Sequence, residues 1–114
     1  MVGFYTPAKK IDIGVAYLLF VSGVQTETCI GEIEMQTREV FEQISAILKA
    51  AGATIDNVVK AVIYVTDMAD FEVVSKIREE YFKNCRPVST FVEVTGFVRD
   101  EAVIEIEVTA VLPK

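Results

Sequence analysis

Apolar positions recur along this chain in two rhythms, and the switches between them mark out its elements. From Val15 the run VAYLLFVSG stays apolar until Ser22-Gly23, the pattern of a strand buried at the centre of a sheet. Residues Val24 to Ile30 are short and polar, a loop or a brief strand. From about Glu32 to Ala51 the period becomes helical, with Ile33, Thr37, Val40, Phe41, Ile44, Ile47, Leu48 and Ala51 on one stripe. Glu32 and Glu34 at its start and Lys49 with Gly52 at its end suit the helix dipole and a glycine cap. The β-branched run Val58 to Thr66 predicts a second central strand. Asp67 or Asp70 is placed to cap a helix reaching about Phe82, with Phe71, Val74, Ile77 and Tyr81 toward the core, and Asn84-Cys85-Arg86-Pro87 ends it.

The C-terminal stretch, Arg86 to Pro113, alternates with period two on either side of a turn-prone middle, which predicts two antiparallel strands. Val88, Thr90, Val92 and Val94 share an even face with Ile104, Ile106, Val108 and Ala110. Ser89, Phe91, Glu93 and Thr95 share an odd face with Val103, Glu105, Glu107 and Thr109. A partner subunit closing that odd face would leave carboxylates and hydroxyls in a semi-enclosed cleft. With the residues through Lys10 as an irregular arm or short edge strand and a turn at Gly14, the order is β-β-α-β-α-β-β in one domain, 1–114, of α+β class. Two helices cannot cover both faces of a four- or five-stranded sheet, so they are expected on one face, leaving the other for a neighbour.

Composition sharpens this picture. With 114 residues and 52% of them hydrophobic, and a mean hydropathy of +0.39, the chain carries more apolar side chains than so small a surface accommodates, which predicts a homo-oligomer. A net charge of −6, with cationic residues scattered, argues against nucleic acid as a partner. No apolar run approaches the roughly 20 residues that span a bilayer. The opening MVGFYTPAKK lacks a signal-peptide core, so a cytoplasmic location is expected. Histidine is absent, which removes Ser-His-Asp and Cys-His couples, imidazole bases and His-ligated metals and leaves acid–base work to carboxylates, tyrosines, lysines or water. Cys29 and Cys85 form no CxxC pair and read as reduced thiols, Cys85 in a loop where it can be exposed.

Five fragments in order then resemble one family, the YjgF/RidA reactive-intermediate deaminases, also called the L-PSP endoribonuclease family. They are VSG at Val21 to Gly23, QTREVFEQISAILKAAGA at Gln36 to Ala53, VVKAVIYVTDMADF at Val59 to Phe71, RPVSTFVEV at Arg86 to Val94 and IEIEVTAV at Ile104 to Val111. The resemblance implies a chorismate-mutase-like fold, a homotrimer with ligand clefts between subunits, and hydrolysis of 2-enamine and 2-imino acids to 2-keto acids and ammonia without metal or organic cofactor. It also implies site residues. Glu105 matches the carboxylate that positions the attacking water, Tyr5 a tyrosine of the N-terminal arm, and Ser22-Gly23 a loop whose backbone N–H groups bind an anion. The family's carboxylate-clamping arginine falls on Ser89, and an asparagine contact on Ser75.

A serine in place of a guanidinium loses charge and the planar two-point grip, weakening carboxylate binding on the order of tenfold to a hundredfold. Three functions remain: an enamine or imine hydrolase with altered substrate preference, a trimeric ligand-binding module without turnover, and, ranked last, a nuclease or translation inhibitor. Glu93 and Glu107 read as a solvated face, Arg86 and Arg99 first as solvated loop arginines and second as cations that could restore the missing charge, and Tyr17, Phe20 and Phe41 as core.

Overall fold

The structure, a computed structural model, describes residues 6–28 and 31–114, so Tyr5 and Cys29 lie outside the described residues. Strands β1 (Ala8–Asp12), β2 (Ala16–Gln25), β3 (Val58–Val65), β4 (Val88–Glu93) and β5 (Ile104–Pro113) form one sheet in the order β1-β2-β5-β3-β4. Helices α1 (Ile33–Ala50) and α2 (Phe71–Phe82) complete the expected element order. Neighbouring strands are antiparallel except β3 and β4. That parallel pair needs a crossover, and α2 supplies it.

Both helices pack on one sheet face. Val40, Phe41, Ile44 and Leu48 of α1 and Val74 and Ile77 of α2 are buried in one core with Leu19, Ile63, Ile106 and Val108 of the strands. Phe41 joins the two helices, stacking on Tyr81 at 4.5 Å between centroids and meeting Phe82 edge-on at 5.2 Å. α1 stops at Gly52, whose φ of +87° suits a residue without a Cβ. There the N–H groups of Gly52 and Ala53 donate to the Lys49 and Leu48 carbonyls. Gln36, buried within the helix stripe, donates to the carbonyls of Gly31 and Glu101 and accepts from the N–H of Val103. Its amide thus ties the start of α1 to the chain entering β5, with both its nitrogen and its oxygen paired.

Several expectations change. The two C-terminal strands run antiparallel but do not pair, because β3 lies between them. Their parities also differ. Ala61, Ile63 and Val65 of β3 face the core, and they are opposite Val108, Ile106 and Ile104 on one side but Ser89, Phe91 and Glu93 on the other. The odd residues of β4 therefore share the helix face, whereas Glu105, Glu107 and Thr109 share the open face with Lys60, Val62 and Tyr64. Alternation specifies two faces within a strand, but the loop between Glu93 and Ile104 erases the phase relation.

β2 extends to Gln25 through a register shift between Val21 and Val24, so the polar segment after Gly23 is partly strand. It is not buried on both sides: Leu19, Val21 and Val24 face the core, while Phe20 on the open face stays 45% exposed. Phe71 is likewise 43% exposed, resting edge-on against Phe91 rather than in the core. Asp67, not Asp70, makes the side-chain cap, accepting from the Ala69 N–H in a short 3-10 turn before α2. Glu93 accepts from the Met68 N–H in the same turn and is no idle surface charge. Cys85 is half-buried, and burial pushes its thiol up. Among the described residues no helix is long and apolar enough to cross a membrane.

Candidate active site

β1 begins at Ala8 opposite Val21, β2 runs on past it, and the stretch Ser22 to Gln25 borders a cleft of about 820 Å3. Glu105 and Glu107 of β5, Glu27, Gln43 of α1 and Arg99 of the loop between β4 and β5 also line it. The bulge in β2 puts Gln25 opposite Glu105, and the Gln25 amide Nε2 donates to Glu105 Oε1 at 2.7 Å. Gly23 makes the other half of this seat. A Cβ there would lie 2.5 Å from Glu105 Oε2, so a side chain at position 23 would displace the carboxylate. Next to it, Tyr64 donates to Glu107; that bond, with burial and the charges of Glu107 and Glu105, pushes the phenol up to about 12.

The cleft wall is held by Glu39 of α1. Its carboxylate accepts from the Thr26 and Thr28 hydroxyls, the N–H groups of Glu27 and Thr28 and the Gln43 amide. Burial pushes this acid up, but the bonds from Thr26, Glu27 and Thr28 outweigh it and hold it at about 2. The segment after β2 is thereby fastened to the helix as a fixed wall.

A second constellation lies on the helix face, between α2 and β4. Arg78 reaches both serines, donating to Ser89 Oγ at 3.2 Å and Ser75 Oγ at 3.1 Å. Its guanidinium sits about 6 Å from the rings of Phe71 (5.9 Å) and Phe91 (6.0 Å). Arg86, at φ +43°, turns the chain from α2 into Pro87 and lines the same groove.

The sequence profile described as endoribonuclease L-PSP matches residues 4–112. The chain belongs to this family. A RutC family protein from Pyrococcus horikoshii is 42% identical over 80 residues, covering 70% of this chain and 63% of that protein. The 3-aminoacrylate deaminase RutC of Acinetobacter baylyi is 34% identical over 108 residues, 90% of this chain and 82% of that one. The crystal structure of RidA from an Antarctic Psychrobacter has 30% identity and a TM-score of 0.85, covering 96% of this chain and 89% of that one. The YjgF/RidA resemblance and the α+β fold are both supported by these matches.

In this L-PSP family chain the candidate site residues separate into two groups. Glu105, Ser22 and Gly23 meet in the cleft. Ser75 and Ser89 meet in the groove on the other sheet face, so the shared face expected for Ser89 and Glu105 does not exist within one chain. Tyr5 lies outside the described residues. Ser22 does not offer its N–H to an anion, because the Pro7 carbonyl accepts it at 2.8 Å and the Thr6 carbonyl takes the hydroxyl; pairing of the chain leading into β1 consumes both. Two groups are not legible in the sequence as site residues. Gln25 is hidden by the bulge, whereas Arg78 stands three residues after Ser75 on a helix, a spacing that puts both on one face.

Proposed function

We propose that this chain hydrolyses the C=N bond of a small enamine- or imine-derived acid to a keto compound and ammonia, with a substrate preference altered by serine at position 89. One observation carries the reading: Glu105 sits in a cleft, bonded to Gln25 and seated against Gly23, where a Cβ would displace the carboxylate. The 34% identity to a 3-aminoacrylate deaminase supports the same class of chemistry.

The chemistry asks little of the protein. A water held by Glu105 attacks the imine carbon; the new C–O bond forms as the C=N π pair moves to nitrogen, and Glu105 takes the water's proton. Returning that proton to nitrogen gives the neutral carbinolamine; as the C–N bond breaks, Glu105 passes the hydroxyl proton to the departing nitrogen, so ammonia leaves, a carbonyl remains and the carboxylate is ionised again. The Gln25 amide keeps the carboxylate aimed.

The homotrimer belongs to the same reading. The open sheet face carries exposed apolar side chains, Ile11 at 44%, Phe20 at 45% and Val88 at 70%, which a neighbouring copy would cover. Glu105 and the Ser75–Ser89 pair lie on opposite sheet faces, so a neighbour is needed to bring one copy's groove to another's Glu105. The test is to generate 2-iminopropionate in situ and measure its conversion to pyruvate with wild type and Glu105→Gln. Wild type should outpace buffer, and the variant should lose about a hundredfold or more. Equal rates for both proteins sink the assignment, and a monomer by light scattering at micromolar concentration removes the interfacial site.

A further inference from the structure

We propose that Arg78, with Ser75 and Ser89, is a binding site for the carboxylate of a small organic acid, its cation supplied by helix α2 rather than by the strand that carries Ser89. It rests on the proposed hydrolase reading only for the reaction that the bound acid undergoes.

The guanidinium has no carboxylate partner among the described residues, in a chain where acidic residues outnumber basic ones, 17 to 11. Two hydroxyls hold it instead. A hydroxyl that accepts from arginine still carries a proton to donate, so Ser75 and Ser89 add two donors beside the fork. The groove favours an anion: Lys76, Lys83 and Arg86 line it, and of its acids Glu79 and Glu80 the latter is paired with Arg38 at 3.0 Å.

The arrangement selects a carboxylate. One planar fork and two neutral hydroxyls match a single negative charge spread over two oxygens in a plane. A phosphate would call for a second convergent cation, but Lys76, Lys83 and Arg86 are exposed on the rim. Phe71 and Phe91, flanking the guanidinium, present apolar surface to a short carbon chain and hold the arginine by cation–π attraction.

The role differs from that of a structural tether between α2 and β4, and binding separates the two. Pyruvate and its neutral isostere pyruvamide are titrated into the full chain while amide chemical shifts are monitored, for wild type, Arg78→Gln, Arg78→Lys and Lys49→Gln, with folding checked by thermal melts. Wild type should bind pyruvate about tenfold or more tighter than pyruvamide, Arg78→Gln should abolish that preference, and Arg78→Lys should keep part of it. Lys49→Gln, the same loss of charge at the exposed end of α1, should retain it. If Arg78→Gln fails to fold, Arg78→Lys and Ser89→Ala carry the test. Pyruvate binding unchanged in Arg78→Gln, lost equally in Lys49→Gln, or absent from wild type overturns the proposal. Arg78-dependent pyruvate binding without any hydrolysis of 2-iminopropionate supports the site and sinks the deaminase reading.

Discussion

The cleft at Glu105 and the groove at Arg78 are built by opposite means. In the cleft a backbone irregularity does the positioning: the β2 bulge brings Gln25 opposite Glu105, and Gly23 leaves the space that the carboxylate fills. In the groove regular geometry suffices, since helical spacing sets Ser75 and Arg78 on one face of α2 and the parallel pairing of β4 delivers Ser89 beneath them. The cleft is negative and rigidly walled; the groove is positive and lies along an edge strand. A site that needs a proton acceptor and an anion holder therefore has both, on different faces of one sheet.

Adding one methyl group tests the cleft most severely. Gly23→Ala should move the Glu105 carboxylate and slow hydrolysis of 2-iminopropionate by about a hundredfold, because misplacing a catalytic group by an ångström costs that much. Pyruvate titration of the same variant should show the groove unchanged. A rate within twofold of wild type would mean that the seat at Gly23 does not govern the reaction.

The wall comes next. Glu39→Gln should lower unfolding stability by about 2 kcal/mol at neutral pH, since bonds to an ionised acceptor are replaced by weaker ones. The sign in acid is set by the lowered value: the unfolded acid titrates near 4.5 and the folded one at about 2. Its contribution is therefore complete above pH 4.5 and is lost as pH falls toward 2. Urea unfolding across that range should show this loss in wild type and not in Glu39→Gln. Identical pH profiles would unfasten the wall from Glu39.

Tyr64→Phe should have the smallest effect, about 1 kcal/mol or less, by removing the bond to Glu107. The folded phenol titrates at about 12, above its ordinary 10, so this stabilisation is present below pH 10 and lost as pH rises through 12. Absorbance titration should lose one late-ionising tyrosine in the variant; an unchanged curve would place the high value elsewhere.

The core is legible in the chain because burial imposes a period on each element. Val40, Phe41, Ile44 and Leu48 repeat as a helix does, and Ile104, Ile106, Val108 and Ala110 alternate as a strand does. Polar residues inside those periods are harder. Gln36 shares the helix stripe without being apolar, and two of its three backbone partners, Glu101 and Val103, come from a distant segment. Glu39 reads as a surface charge until the segment after β2 folds onto it.

Local order thus determines the element sequence, the buried stripes and the family to which Glu105, Ser75 and Ser89 can be matched. Which strands are neighbours, and which side of the sheet each functional group takes, is decided only by folding. β3 separates β4 from β5, and the loop between them resets the alternation, so Ser89 faces α2 while Glu105 faces away. Side-chain alternation is a property of a single strand; register and crossover are set by the core that all five strands and both helices share. That same packing places Arg78 over two serines, beside a strand that offers no cation of its own.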